Sequence, residues 1–340
     1  VLRPQWEALH SEVGDLWKPE PKELNPERLG HISEAQGVFA WHEAQARFDA
    51  LYEPYDANSV QGRSARACLL SCACRSASAW LDTLPCTQTL ELKSGEVRTG
   101  LRHRLGLSML PSNTPAVQCD CGTTLRPTEA DHGMRCPSLA AHTTLRHGIL
   151  KGILRRVVHR AGIASTQEPT LRRLPGLAGG AGTSAKGAST RIETHGDILL
   201  ALPGGITIAD ISITRPLAIN TLAAAATTAG AAATRREQQK RATYSRVEPN
   251  GYPFVPFSVE SYGRIGQPAM KLLHALGDEA AGPVGVTRAS FVAGALREIS
   301  IGLCRGNFFM YRVRLGMFAE SSGTGFQAGM RVPTDEHGLL

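Results

Sequence analysis

The chain has 340 residues, with 37 Lys and Arg against 30 Asp and Glu and a formal net charge of +7. That length can bury a substantial core in two or three domains. The absence of any apolar run of 18 residues argues against a membrane span and, with no signal-peptide pattern, for a soluble intracellular protein. The charge is uneven: residues 1–60 carry 11 acidic and 5 basic side chains, whereas the remainder carries 19 and 32. Basic residues recurring in short groups favour a polyanionic partner. Six of the eight cysteines fall in two clusters, which suits thiols or a metal site better than a secreted disulfide framework.

In chain order, residues 1–60 read as a peripheral or linker region, punctuated by Pro19, Pro21 and Pro26, with apolar residues at helical spacing from Ile32 to Tyr52. Residues 61–115 read as a helical segment. The spacing predicts one helix over 65–84, with Trp80 and Leu81 on its apolar side, and a second over 95–105, with Leu101, Leu105 and Leu107 inward. Cys68, Cys72 and Cys74 fall on the first, where cysteine usually serves as a small buried hydrophobe.

Residues 116–141 carry Cys119-x-Cys121 and His132-x3-Cys136, four soft or borderline ligands that suit a closed tetrahedral Zn²⁺ site. The segment has little apolar content, so a structural metal would supply folding energy that packing cannot. The other reading is a loop with free thiols; His142 and His147 compete as ligands from the helix that follows. That helix, over 142–161, is amphipathic: Leu145, Ile149, Ile153, Leu154, Val157 and Val158 face in, and Arg146, Lys151, Arg155 and Arg156 face out. Gly, Ala and Ser dominate 175–189, predicting a flexible loop.

Gly196 to Ile213 predicts a β-hairpin with an aspartate on each arm. With Gly204-Gly205 as the turn, Leu199 pairs with Asp210 and Asp197 with Ser212. Alternation then puts Asp197 and Asp210 on one face as diagonal neighbours, roughly 7 Å apart. Two such carboxylates repel unless a cation sits between them, and a hard ion such as Mg²⁺ takes these oxygens. Two solvated acids on a surface hairpin is the plainer alternative. Residues 222–234 read as a weak helix or disordered bridge, 235–244 as a charged helix, 252–260 as a strand and 268–276 as a helix. Together these make a mixed α/β domain over 142–277. Residues 278–340 read as a basic helical tail with Arg297, Arg305, Arg312 and Arg314.

The order of cysteine cluster, helix at Arg146-His147, paired-Asp hairpin and Lys-x3-Tyr helix resembles the C-terminal region of non-LTR retrotransposon proteins. In that family a CCHC zinc knuckle precedes a restriction-enzyme-like PD-(D/E)xK endonuclease. Cys119, Cys121, His132 and Cys136 match the knuckle. Gly196-Asp197 matches the family's Pro-Asp with Gly in place of Pro, and Asp210-Ile211-Ser212 matches its Asp-Val-Thr. Lys240 and Tyr244 match its displaced Lys-x3-Tyr, and Glu168 resembles the acid before the first core strand. Similarity extends to Ala79-Trp80-Leu81, to Val259-Glu260-Ser261-Tyr262-Gly263 and to Leu303-Cys304-Arg305-Gly306-Asn307, so it covers roughly 65–330.

The resemblance implies an α/β fold: a helical N-terminal segment, a small zinc knuckle over 116–141, then a restriction-endonuclease-like mixed sheet flanked by helices. It implies a nuclear, Mg²⁺-dependent endonuclease that nicks target DNA. Asp197 and Asp210 would hold Mg²⁺, with the Ile211 carbonyl completing its shell. Lys240 would orient the nucleophile, and Glu168 would ligate a second ion or hold water. From position alone, Lys240 reads as a solvated helix lysine and Glu168 as an exposed loop acid. Arg155, Arg156, Arg235, Arg236 and Arg241 would contact phosphates, with DNA and the element's RNA as partners. The polymerase is expected on the parent polypeptide, because this chain lacks the Asp-Asp pair that holds polymerase metals. The alternative is a nucleic-acid-binding zinc-knuckle module with a vestigial, inactive nuclease fold.

Overall fold

The structure, a computed structural model, describes residues 32–109, 117–119, 121–125, 132–134, 136, 140–177, 195–281 and 286–321. Pro19, Pro21 and Pro26 lie outside the described residues, as does the Gly/Ala/Ser stretch beyond Leu177. Among the described residues no helix is long and apolar enough to cross a membrane. The chain divides into two compact units, Val1–Arg66 and Ala67–Leu340. In the first, helix α1 (Ile32–Tyr52) forms over the expected residues. The Asp56 carboxylate then accepts the N–H groups of Asn58 and Ser59, at 2.9 and 3.1 Å, ahead of α2 (Val60–Cys72), within which the division falls.

The helix expected to run to residue 84 stops at Cys72. Cys74 is extended, and only a short α3 (Arg75–Ser78) follows. The break turns two serines inward: the Ser71 hydroxyl donates to Glu260, and Ser76 accepts from the Ile265 N–H. Leu81 is exposed instead of lining an apolar face. Helix α4 (Ser94–Arg104) forms as expected, but Leu101, Leu105 and Leu107 are exposed and its buried side carries Glu96 and His103. Polar groups can be buried there because partners distant in sequence satisfy them. Glu96 accepts the Lys93 N–H and pairs with Arg305, while His103 stacks on Tyr262 at 4.3 Å and meets the Tyr311 hydroxyl at 3.1 Å.

A two-stranded ribbon, β1 (Val117–Gln118) with β2 (Thr124–Leu125), precedes helix α5 (Ala140–Arg160). The sheet then builds from β3 (Ser165–Gln167), β4 (Ile198–Leu202) and β5 (Gly205–Thr214), each antiparallel to the last. After α6 (Leu222–Ala225) and α7 (Ala231–Thr243), β6 (Phe254–Glu260) adds parallel to β5. A parallel pair needs a crossover, and residues 215–253 supply it. Helices α8 (Gln267–Ala281) and α9 (Arg288–Ser321) complete the unit. The result is a mixed α/β unit with a four-stranded mixed sheet.

Strand alternation divides the core. Ile198, Leu200, Ala209, Ile211, Phe257 and Val259 face α5, α8 and α9. Ile208 and Phe254 face the other way, packing with Leu171, Tyr244 and Val247. The segment expected as a basic tail is therefore a core element: Phe291, Val292, Leu296, Ile299 and Leu303 of α9 are buried in the larger cluster. On α5, Ile153, Leu154, Val157 and Val158 are buried as expected, but Leu145 is exposed and Arg146 is buried. Arg146 donates to Asn307 Oδ1 at 3.1 Å, which explains how its head tolerates burial.

Candidate functional site

The hairpin register differs from the expected one by two residues. Leu202 pairs with Gly205, so Pro203-Gly204 form the turn, and Ile198 pairs with Ala209. Proline suits the first central position of a turn and has no N–H for a ladder. The expected register would have forced Pro203 into the ladder. Gly205 takes up the positive φ, +116°. A shift of two preserves facing along the ladder, but Asp197 lies outside it, and its carboxylate meets α5 while that of Asp210 meets α7 across the sheet, so the expected shared face is not seen. The ladder ends at Ile198 and Ala209, so Asp197 stands just before its first pair and Asp210 just after it.

Asp210 is buried, and α7 supplies its partners. Lys240 Nζ lies 2.7 Å from Oδ2, with 6% of the Asp210 side chain and 17% of the Lys240 side chain exposed. The Tyr244 hydroxyl donates to Oδ1 at 2.7 Å. Lys240 and Tyr244 stand four apart, one turn of helix, which lets both reach the same carboxylate. Tyr244 also stacks on Phe254 at 4.5 Å, so it packs as well as donates. Both oxygens of Asp210 are thus engaged, Oδ1 by the phenol and Oδ2 by the ammonium.

Asp197 precedes β4, where the backbone ladder ends, and its carboxylate takes over from the missing strand. Oδ2 accepts the Ile211 N–H at 2.7 Å, and His147 Nε2 of α5 lies 3.0 Å from Oδ2 and 3.0 Å from the Ile211 carbonyl oxygen. Burial pushes the Asp197 carboxyl up, but the His147 hydrogen bond and charge, the Ile211 N–H and Lys151 together hold it below its ordinary value. The same hydrogen bond raises His147 against the opposing effect of burial. His147 was expected as a competing zinc ligand; it stands at the aspartates instead.

Glu168 follows β3 with φ +45°, uncommon for a non-glycine residue, and its N–H donates to the Asp197 carbonyl at 2.9 Å. Its carboxylate meets Lys151, one turn after His147 on α5, at 2.5 Å, and remains 66% exposed. Lys151 holds the Glu168 carboxyl below its ordinary value. Gly196 fits closely: a Cβ there would lie 2.9 Å from Ile208 Cγ2. The expected residues fall into two groups: Asp197 and Glu168 with His147 and Lys151 of α5, which the sequence reading had assigned elsewhere, and Asp210 with Lys240 and Tyr244 of α7.

The cysteine cluster forms where expected. The ligand atoms of Cys119, Cys121, His132 and Cys136 all lie within 4.8 Å of one another. The Cys119 N–H donates to Thr123 and the Gly122 N–H back to Cys119, at 2.9 and 2.7 Å, and Gly122 has φ +83°. This turn wraps two sulfurs toward one point, and the Cys136 N–H, bonded to the His132 carbonyl at 3.0 Å, fixes the other pair. Nε2 of His132 lies 3.3 Å from Cys119 Sγ and 3.5 Å from Cys121 Sγ, while the sulfurs of Cys119 and Cys136 are 3.4 Å apart. Tetrahedral zinc needs edges of about 3.5 Å for S···N and about 3.8 Å for S···S, so the donor set fits an ion such as zinc after small adjustments. None of the four is in a disulfide, and the Thr123 hydroxyl holds the Cys121 thiol below its ordinary value. The cluster packs on Met310 and Tyr311 of α9.

The expected phosphate contacts separate into two groups. Arg155 and Arg156, with His159 and Arg160, line a cleft of about 720 Å³ beside the β3 edge, where Glu298 pairs with Arg156 and Arg160. Arg235 and Arg241 are exposed and Arg236 half-buried on α7, across the sheet from α5, with Arg241 paired to Glu248. No protein-family model matches the chain, and no curated protein matches it.

Proposed function

We propose that the chain is a Mg²⁺-dependent DNA endonuclease module that nicks duplex DNA, in a restriction-endonuclease-like fold of the kind carried by non-LTR retrotransposon proteins. The observation that carries this reading is Asp210: a buried carboxylate with the Lys240 ammonium at 2.7 Å, on the hairpin whose other arm Asp197 precedes. The chemistry that supports an ion is the set of hard oxygens: the Asp197 carboxylate and the Ile211 carbonyl converge on one nitrogen, and the Asp210 carboxylate holds an ammonium. Asp197, Asp210 and the Ile211 carbonyl would hold the ion, which when bound polarises a phosphoryl oxygen and acidifies water. Lys240 positions the attacking water and offsets charge developing on the phosphate. Tyr244 orients the Asp210 carboxylate through Oδ1, and Oδ2, held by Lys240, would be shared with the ion. Zinc in the cysteine cluster supports the fold without reacting, since four protein donors leave no open position. Arginines of α5 and α7 grip the phosphate backbone without reading sequence.

A second reading, a nucleic-acid-binding module with a vestigial site, is favoured by the cationic partners already held by both aspartates and by the arginine-lined cleft. Purified protein and supercoiled plasmid separate the two. Mg²⁺-dependent open circles that disappear with EDTA and with Asp210→Asn support the nuclease. Salt-sensitive binding without nicking supports the second reading and overturns the first.

A further inference from the structure

We propose that the cleft beside the β3 edge is a site for an unpaired polynucleotide strand, which competes there with Glu298 for Arg156 and Arg160. The inference rests on reading the α5 arginines as phosphate contacts; it names the strand they hold as unpaired and leaves duplex to the arginines of α7. The last turns of α5 contribute Arg155, Arg156, His159 and Arg160 to the cleft, and the end strand of the sheet, β3, contributes Ser165 and Gln167. Cations complement the negative end of a helix, but here three arginines share a recess with one acid, Glu298, and two positive charges stay uncompensated. No ion pair or side-chain hydrogen bond engages Arg155 or His159 among the described residues.

Glu298 occupies the place that a phosphate would take. It is 9% exposed, and its two oxygens turn to different guanidinium groups: Arg160 donates to Oε1, and Arg156 Nε lies 3.8 Å from Oε2. A phosphodiester also spreads one negative charge over two oxygens, and arginine meets it with the same donors. The Arg156 separation is too long for a hydrogen bond, so that guanidinium keeps its donors for an incoming group. Arg160 lies over the Phe291 ring at 5.9 Å, which holds its head in the cleft whichever anion it meets. The volume selects the strand. About 720 Å³ suits a small molecule or a short stretch of one chain, whereas a duplex, with grooves about 12 and 6 Å wide, is too broad to enter. No Phe, Tyr or Trp lines the cleft, so the hold is on the backbone and not on stacked bases. Thr89 completes the rim, fixed by Arg305, which donates to the carbonyls of Gln88 and Thr89.

The test is fluorescence anisotropy of labelled oligo(dT), oligo(U) and a duplex of equal length, with the full zinc-loaded chain in magnesium-free buffer. Glu298→Gln should tighten the single strands at least fivefold and the duplex less than twofold. Arg155→Gln, which has no partner to lose, should weaken the single strands at least fivefold, spare the duplex and reduce the log–log salt slope by about 0.7. The tighter of oligo(dT) and oligo(U) identifies the natural strand. Asp278→Asn, which removes an equal charge from the Arg288 pair, should leave all three unchanged. A gain there equal to that of Glu298→Gln marks a bulk charge effect and overturns the inference, as does single-strand binding that ignores Glu298→Gln and Arg155→Gln. Effects confined to the duplex overturn it and leave the α5 arginines as phosphate contacts. Indifference of all three probes to Arg155→Gln and Arg156→Gln overturns both the inference and the reading beneath it.

Discussion

Lys240→Met removes the cation facing Asp210 where α7 meets the sheet. At the observed 2.7 Å, the gross attraction is about 6 kcal/mol for an effective dielectric of 20. Desolvation of two largely buried ends offsets most of it, so the pair nets little against an apolar replacement. Removing one member costs more, because the other charge stays buried. Lys240→Met should therefore cost about 3 kcal/mol, the lower end for such pairs, since Tyr244 still donates to Oδ1. Asp210→Asn strands an ammonium on a flexible stem that can reach water, and should cost about 2 kcal/mol. The double variant leaves no orphan charge and should also cost about 2 kcal/mol, a coupling of about 3 kcal/mol. Urea unfolding of the four proteins in magnesium-free buffer, with zinc present, measures this. Costs that add to within about 0.5 kcal/mol, the limit for independent sites, would refute the claim that the two charges depend on each other.

Three further outcomes follow from the structure. Metal analysis should find one zinc per chain, lost with Cys136→Ala, and chelation should destabilise the fold at α9, where Met310 and Tyr311 pack on the cluster; zinc-free protein with unchanged hydrogen-exchange protection there would contradict a structural metal. His103 is buried, and desolvation lowers its pKa from 6.5 to about 4. The unfolded chain therefore takes up that proton first, so stability should fall by about 3 kcal/mol in total as pH drops through the interval from 6.5 to 4, and His103→Phe should flatten the slope. Gly133→Val would bring a Cβ to 2.7 Å from the Tyr311 ring, an overpacking cost of about 1–3 kcal/mol readable by thermal unfolding.

Local patterns carried much of the fold into view. Period-two alternation and a glycine-rich turn marked β4 and β5, and the spacing of Ile153, Leu154, Val157 and Val158 marked α5. What failed were the positions decided by distant partners. Arg146 and His103 look like surface residues until Asn307, Tyr262 and Tyr311 arrive to satisfy them. Leu101 and Leu105 look like core residues, but the side of α4 facing the protein needed Glu96 and His103. The basic composition of α9 concealed its role, although Arg305 spends its charge on the carbonyls of Gln88, Thr89 and Glu91.

The candidate site divides in the same way. The aspartates were legible because both sit on one short hairpin, whose register only the Pro203 turn altered. Lys240 was found by matching an ordered motif; its helical surroundings, Arg235 to Arg241, suggest only a solvated face. His147 was read as a competing zinc ligand, because nothing local could aim it at Asp197, fifty residues away. The segments Ala79-Trp80-Leu81, Val259–Gly263 and Leu303–Asn307, which enter the resemblance without an evident role, meet around one junction. There the Trp80 N–H donates to Ser300, Asn307 donates to the Ser261 carbonyl, and Gly263 lies against Ala77.

The most direct test is the single-turnover rate of plasmid nicking as a function of Mg²⁺ concentration, for the unsubstituted chain, Asp197→Asn and Lys240→Met. If two carboxylates and one ammonium work on a shared phosphate, the rate should saturate with Mg²⁺. Asp197→Asn should then demand a much higher concentration, and Lys240→Met should lower the plateau by about 10² or more at an unchanged requirement. Nicking that is indifferent to both substitutions, or that persists without a divalent ion, would contradict the account.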